Sequence, residues 1–86
     1  MRSKHLDAIR AALLHEWDPI GVRDDPEAQG EYDSYAGMIY KLLLNSANQD
    51  AIFDYLWYVE TLQLGLPGNR KATEKFAARL IELWKV

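Results

Sequence analysis

The chain has 86 residues, of which 49% are hydrophobic, and it carries a formal net charge of -3 without a single cysteine. This length predicts one domain, residues 1–86, with a small core, because a chain of this size buries only about 60% of its unfolded surface. The absence of thiols excludes disulfide bonds, thiolate metal sites and cysteine catalysis, so the stability of the fold depends on packing.

The sequence shows no feature that is typical of insertion into a membrane or of secretion. No run approaches the roughly 18 consecutive apolar residues of a membrane span. Asp7 and Arg10 interrupt the apolar part of the N-terminus, which therefore lacks the core of a secretory signal. We expect a cytoplasmic protein, from bacteria or another source, with no membrane partner.

Helical spacing of apolar residues predicts a first helix over residues 4–16, with Ser3 as its N-cap. The buried face of this helix comprises Leu6, Ile9, Leu13 and Leu14. Asp18-Pro19 ends the helix, because the proline ring disfavours a helical conformation in the residue before it. A second helix is predicted to begin at Asp33 or Ser34, either of which can cap it, and to end near Asn45. Its buried face comprises Tyr35, Met38, Ile39 and Leu42.

The third helix opens at residues 46–49, which have capping-box spacing with Asn48 as a competing cap, and it ends at Gly65 and Pro67-Gly68. Its apolar stripe is Ile52, Leu56, Val59 and either Leu62 or Gln63. A fourth helix begins near Asn69, and its apolar residues are Ala72, Phe76, Ala77, Leu80, Ile81 and Trp84. Because no strand pattern occurs, the fold class is all-α, a compact four-helix bundle or orthogonal array with one long ordered loop between helices 1 and 2.

That loop lies in residues 16–33, EWDPIGVRDDPEAQGEYD, which we call the acidic connector. It contains seven carboxylates against a single arginine, so it is the acidic pole of the chain. Irregular connections of this length are uncommon and tend to be functional, disordered or packed by their own side chains. The acidic connector is predicted to pack onto the helices, because it contains the large apolar residues Trp17, Ile20 and Val22.

The carboxylates of the acidic connector raise the alternative of a metal site. Their spacing does not match the calcium loop of an EF-hand, and a solvated acidic loop is the preferred interpretation. A metal-binding or hydrolytic site could instead be built from His15, Glu16, Asp18 and Asp33. No serine-hydrolase elbow, zinc-protease motif, phosphate loop or dinucleotide fingerprint occurs, so we expect no enzyme activity and no cofactor.

Two further surfaces have alternative interpretations. Arg70, Lys71, Lys75 and Arg79 could line one side of the fourth helix, but in an acidic protein we interpret them as a solvated face and expect no nucleic-acid partner. Aromatic residues cover more of the third helix than one buried stripe needs. The helix is therefore either central or exposed to a partner, including a homodimer formed through Tyr55 and Tyr58. Glu60 is either solvated or paired with a connector group, such as the Trp17 indole, or a backbone amide.

Three runs of the sequence carry a resemblance to a known family. They are residues 14–22, LHEWDPIGV, residues 31–35, EYDSY, and the stretch from Tyr55 through Glu60 to Leu66. In these runs the chain resembles a family of small bacterial all-α proteins, a domain of unknown function with an EWDPIGV and EYDxY signature. The resemblance implies the fold more than an activity. Some similar small acidic helical proteins act as immunity proteins that block a toxin.

Together these observations predict a non-catalytic protein-binding or inhibitory module, of the immunity type by analogy, that presents the acidic connector to a protein partner. The residues expected to supply charge are Asp24, Asp25, Glu27 and Glu31. The residues expected to anchor the partner are Trp17, Tyr32 and Tyr35. Glu16, Asp18 and Asp33 are expected to be structural, as hydrogen-bond acceptors at helix ends and turns.

Overall fold

The computed structural model describes residues 4–19, 21, 24–25, 30 and 32–85. Within these residues the chain forms four α-helices and no strand, which confirms the all-α prediction. The helices are α1 (Lys4–Ala12), α2 (Asp33–Leu44), α3 (Gln49–Tyr58) and α4 (Arg70–Lys85). None of these helices combines the length and the apolar character that crossing a bilayer requires.

One hydrophobic core joins all four helices. Its fully buried aliphatic side chains each stabilise the fold by about 1.5–3 kcal/mol. They include Ile9 of α1, Leu13 directly after it, Ile39 of α2, Ile52 and Leu56 of α3, and Leu80 of α4. The most extensive contacts join α3 to α4, and α1 packs against both α2 and α4.

Two helices continue beyond their α-helical part as wider π-helical turns, Leu13–Trp17 after α1 and Val59–Gln63 after α3. The second of these turns shifts the direction of the side chains that follow Tyr58, because it inserts an extra residue into the helical repeat. Leu62 is consequently 72% exposed, while Glu60 points into the core and is only 6% exposed. The prediction that Leu62 or Gln63 continues the buried stripe is therefore wrong.

Two other apolar residues lie on a different face from the predicted one. Met38 is exposed because the core side of α2 is formed by Ala36, Ile39 and Leu43, a stripe turned away from it. Ala72 is exposed because Thr73 takes the buried position at the start of α4. In both α2 and α4 the buried face is therefore rotated about the helix axis relative to the face predicted from hydrophobic residues alone.

The helix ends follow the sequence signals in most cases. The side chain of Asn48 accepts a hydrogen bond from the Ala51 amide at 2.9 Å, and that of Asn69 accepts one from the Ala72 amide at 3.1 Å. The predicted cap Asn69 and the competing cap Asn48 are therefore confirmed, whereas the capping box over residues 46–49 is wrong, because Asn48 is the N-cap of α3. The predicted cap of α2 is wrong. Its N-cap position is Tyr32, and no side chain caps it. The predicted cap of α1, Ser3, lies outside the described residues.

Gly68 in the α3–α4 loop touches the Trp57 ring. Its φ of +87° belongs to the left-handed region, and a Cβ atom here would lie 2.6 Å from Trp57 Cη2. Gly68→Ala should therefore lower the free energy of unfolding by about 2–4 kcal/mol, from backbone strain and overpacking together.

Gly65 offers a matched control for this prediction, since its φ of +67° is also left-handed but a Cβ atom there would have no neighbour within 4 Å. Gly65→Ala should cost only the backbone strain, about 1–2 kcal/mol. Urea denaturation followed by circular dichroism measures both variants. Equal losses would show that the Trp57 contact contributes nothing to the cost at Gly68.

Candidate protein-binding surface

The first helical segment, which is α1 together with the π-helical turn Leu13–Trp17, ends at Asp18 within the acidic connector. This residue adopts a left-handed conformation, with φ 35° and ψ 58°, and its amide donates to the Leu13 carbonyl at 2.8 Å. Its own carbonyl accepts from the Gly21 amide at 3.2 Å. Aspartate tolerates the left-handed region better than most residues. The chain therefore turns sharply out of the helix at this position, as Asp18-Pro19 predicts.

A hydrogen bond closes the connector at its base. The Tyr32 hydroxyl donates to Asp18 Oδ1 at 2.7 Å, between residues that are 14 positions apart in the sequence. The Tyr32 ring is only 2% exposed and belongs to the hydrophobic core. The two ends of the loop are thus held together next to the core, and we call this contact the base clasp.

Aromatic packing supports the base clasp from the other side. The Trp17 ring stacks on the Phe76 ring of α4, with centroids 5.7 Å apart and planes 1° from parallel. It also lies 6.3 Å from the Tyr32 ring in a tilted arrangement. Trp17 therefore packs the start of the connector onto α4, in agreement with the sequence prediction. Ile20 and Val22, predicted to do the same, lie outside the described residues.

Two ion pairs join the ends of the connector to helices. Glu16 Oε1 lies 3.0 Å from Arg79 Nε of α4, and Asp33 Oδ1 lies 3.6 Å from Arg10 Nε of α1. All four side chains are substantially exposed, so each pair contributes at most about 1 kcal/mol. Of the three carboxylates expected to be structural, Asp18 serves the turn, whereas Glu16 and Asp33 pair with arginines.

The charged residues predicted to meet a partner are in part described. Asp24 and Asp25 are exposed. Glu27 and Glu31 lie outside the described residues. The described part of the connector therefore places carboxylates at the surface, beyond a base that is fixed to the core.

The three predicted anchors lie in different environments. Trp17 and Tyr35 are half-buried and keep surface that another protein can contact. Tyr32 is a correction, because its ring is buried and its hydroxyl is used by Asp18, so it offers no surface to a partner. The base clasp explains why this position is a tyrosine, because the clasp needs a hydroxyl donor on a buried ring.

Removing the clasp hydroxyl tests its contribution. Tyr32→Phe keeps the buried ring but leaves Asp18 without its donor, and we expect a loss of about 1–2 kcal/mol in the free energy of unfolding. Hydrogen exchange should also become faster at the Gly21 amide, whose acceptor is the Asp18 carbonyl. Tyr40→Phe, on a ring that packs nearly perpendicular to the Trp84 ring, is the control for losing a phenol hydroxyl. A Tyr32→Phe protein as stable as this control would show that the clasp is dispensable.

The alternative metal or hydrolytic site, built from His15, Glu16, Asp18 and Asp33, stays a prediction. Among the described residues, no three histidine, aspartate or glutamate side chains are placed to hold one metal ion. Glu16 is engaged by Arg79, Asp18 by Tyr32 and Asp33 by Arg10. The fourth member of that set, His15, is exposed.

The tyrosines predicted to form a homodimer lie on one side of α3. Tyr58 is 44% exposed, and its hydroxyl accepts from Gln63 Nε2 at 2.6 Å. Tyr55 is half-buried, close enough to Tyr35 of α2 for their charges to interact. Dimerisation through Tyr55 and Tyr58 stays a prediction, and sedimentation of the wild type against Tyr58→Ser tests it.

The same tyrosines predict how the stability of the protein changes at alkaline pH. Burial, and then the charges of Tyr35 and Tyr58, raise the pKa of Tyr55 above its ordinary value of 10.0. The folded state therefore holds this proton more tightly than the unfolded chain does. The resulting stabilisation is complete below about pH 10 and is lost as the pH rises through the folded pKa. Tyr55→Phe should lose less stability than the wild type over this alkaline range in pH-dependent denaturation, and parallel curves would contradict the assignment.

Two features of this region escape sequence reasoning. Glu60 is predicted to be solvated or to fasten the acidic connector, but its Oε2 accepts from the Asn69 amide at 2.9 Å and its Oε1 accepts from the Thr73 hydroxyl. It therefore fastens the π-helical turn after α3 to the start of α4. The α3–α4 loop lies beside Trp17 and Pro19, and a cleft of about 320 Å³ separates them. For the contacts of Glu60, the only sequence signal is the presence of an acidic residue within an apolar helix.

Comparison with protein-family models, with curated proteins and with solved structures finds no match. The resemblance of the EWDPIGV and EYDxY runs to a bacterial family therefore stays an expectation. A proposal for the function of this chain therefore rests on its own contacts and charges.

Proposed function

We propose that this protein is a non-catalytic binding module that presents its acidic connector to a basic surface of a partner protein. The observation that carries the proposal is the base clasp between Tyr32 and Asp18, beyond which Asp24 and Asp25 are exposed. Because both ends of the loop are fixed beside the core, the exposed side chains of Asp24 and Asp25 are held where another protein can contact them.

The distribution of charge supports the same proposal. The acidic connector has seven of the 13 acidic residues of the chain, although it is a short segment. A concentrated negative field accelerates association with a cationic partner and opposes binding to acidic ones. Fixing the loop at its base also reduces the conformational entropy that binding would otherwise cost.

An inhibitory role follows from this chemistry. Enzymes that act on nucleic acids have cationic clefts, and a carboxylate-rich loop can occupy such a cleft as a competitor of phosphates. We place the protein in the bacterial cytoplasm as an immunity-type inhibitor of such an enzyme. The resemblance of the EWDPIGV and EYDxY runs supports this part of the proposal by analogy alone.

The proposal is tested by quantitative affinity capture from the native cell. The bait variant changes Asp24 and Asp25 to Asn and Glu27 and Glu31 to Gln, and the control variant makes equivalent changes in the exposed carboxylates Asp50, Asp54, Glu74 and Glu82. Both variants alter the net charge equally, so only the position of the charge differs.

We expect basic proteins captured by the wild type and the control variant to be lost by the connector variant, with a decrease of about tenfold or more. Capture by the connector variant at wild-type levels would contradict the proposal. Equal losses from both variants would also contradict it, because they would show a response to net charge and not to this loop.

A further inference from the structure

A groove runs along α4 on the side that faces the start of the acidic connector. It consists of two neighbouring clefts that share Ala72, which is exposed between them. The first cleft, of about 320 Å³, lies between Trp17 and the α3–α4 loop at Leu66 and Pro67. The Trp17 ring, the proline rings and the Leu66 side chain that line this cleft can pack against an apolar side chain of a ligand.

The second cleft, of about 340 Å³, has cations on its rim. It lies between Glu16 and α4, with Lys75 and Arg79 beside it and Phe76 below. Lys75 and Arg79 are exposed, while Phe76 is only 5% exposed. Both clefts are at the lower end of the range of about 300–1,000 Å³ for ligand pockets, a size that suits a few side chains.

The groove already contains a carboxylate in one position. Glu16 Oε1 lies 3.0 Å from Arg79 Nε, and Glu82 Oε2 approaches Arg79 Nη1 at 4.0 Å. Lys71 and Lys75 extend the same side of α4 at helical spacing and are exposed. The Glu16–Arg79 pair shows the geometry in which a carboxylate meets this rim, and an exposed pair of this kind is weak enough to be exchanged.

From this arrangement we propose that the groove binds an acidic peptide segment of a partner protein. A glutamate or aspartate of that segment replaces Glu16 on Arg79, with Lys75 as a second cation. An apolar side chain a few positions away passes Ala72 and enters the cleft beside Trp17 and Leu66. This surface has the opposite charge to the acidic connector, and the inference does not depend on the function proposed above.

The same observations favour a peptide over a nucleic acid. Binding of single strands uses exposed aromatic rings as stacking platforms. Here Phe76 is buried, and Trp17, which is half-buried, already uses one face of its ring to stack on Phe76. Glu16 and Glu82 lie beside Arg79, at the end of the row of cations, and would repel phosphates there. One or two carboxylates fit between these charges, whereas a phosphate backbone does not.

The test uses short fluorescein-labelled peptides in which one glutamate is separated from a leucine or phenylalanine by different spacings. Fluorescence anisotropy measures their affinity for the full chain, with glutamine versions of the peptides and a single-stranded DNA of mixed sequence as comparisons. The protein variants are Arg79→Gln, which removes the cation, and Ala72→Trp, which fills the passage between the clefts. Ala11→Trp, at an exposed position of α1, is the matched control for a bulky substitution.

We expect at least one acidic peptide to bind saturably and to weaken about tenfold when its glutamate becomes glutamine or when Arg79→Gln is used. Ala72→Trp should abolish binding and Ala11→Trp should leave it unchanged. Glu16→Gln should tighten binding severalfold, because the competing carboxylate is removed, a direction that a purely structural role would not produce.

Several results would overturn the inference. One is that no acidic peptide binds saturably. Others are that the glutamine peptides bind equally well, or that Glu16→Gln fails to strengthen the interaction. Tighter binding of the DNA than of any acidic peptide would assign the surface to nucleic acid. Because Arg79 and Ala72 are exposed, their variants should fold, and circular dichroism verifies this.

Discussion

Phe76→Ala is expected to lower the free energy of unfolding by about 3–5 kcal/mol. The Phe76 side chain is 5% exposed, lies in the core beside Leu80 and supports the parallel Trp17 ring. Its loss leaves a cavity and also removes the platform that holds the start of the acidic connector. Since domains of this size are stable by only about 5–15 kcal/mol, the change is large.

Phe53 provides a matched truncation at a less buried site. Its ring stacks on Trp57 at 5.7 Å and contacts the Arg70 guanidinium, but it is only half-buried. Phe53→Ala should cost about 1–2 kcal/mol. Denaturant unfolding measures both variants, and hydrogen exchange should report faster opening around Trp17 in Phe76→Ala alone. Equal losses would mean that Phe76 does not hold the connector in place.

Glu60→Ala is expected to lower the free energy of unfolding by about 3–5 kcal/mol, a far larger loss than a surface glutamate gives. Glu60 is 6% exposed and accepts hydrogen bonds from the Asn69 amide and the Thr73 hydroxyl. Its removal leaves two donors unsatisfied at the start of α4, and each costs about 1–3 kcal/mol. The α3–α4 loop should therefore loosen together with the helix end.

Two further variants separate the causes. Glu60→Gln keeps the shape and one acceptor oxygen, so about half of the loss should remain. Glu74→Ala removes an exposed carboxylate that pairs with Arg70 at 3.0 Å, and it should cost at most about 1 kcal/mol. Thermal and urea denaturation measure all three. A Glu60→Ala protein as stable as Glu74→Ala would contradict the role given to the buried carboxylate.

The parts of the fold that sequence predicts are those with local causes. Asn48 and Asn69 cap their helices through amides only three residues away, and Asp18-Pro19 ends the first helical segment through its own backbone. Such signals lie within a few positions of the boundary they set. Helix number and most helix ends could therefore be derived from the sequence.

The parts that sequence does not predict have distant causes. The π-helical turn at Val59–Gln63 is not indicated by any local residue type, and it exposes Leu62, which the predicted stripe had allowed to be buried. Hydrophobic periodicity assumes a constant repeat, and it fails where the repeat changes.

The candidate surface is predictable only in part for the same reason. Its acidic composition is local and visible, whereas the base clasp joins Tyr32 to a residue 14 positions away. Sequence reasoning assigns Tyr32 to the surface because a tyrosine beside an acidic loop is typical of a contact residue. The groove along α4 combines three separate segments, so no single stretch of sequence indicates it.

The most direct test of the central claim is the salt dependence of binding to a captured basic partner. Isothermal titration at increasing ionic strength compares the wild type, the connector variant and the control variant with changes at Asp50, Asp54, Glu74 and Glu82. If the acidic connector is the binding surface, affinity should fall steeply with salt for the wild type and the control variant, and only weakly for the connector variant. The same steep dependence in the connector variant, with unchanged affinity, would contradict the claim.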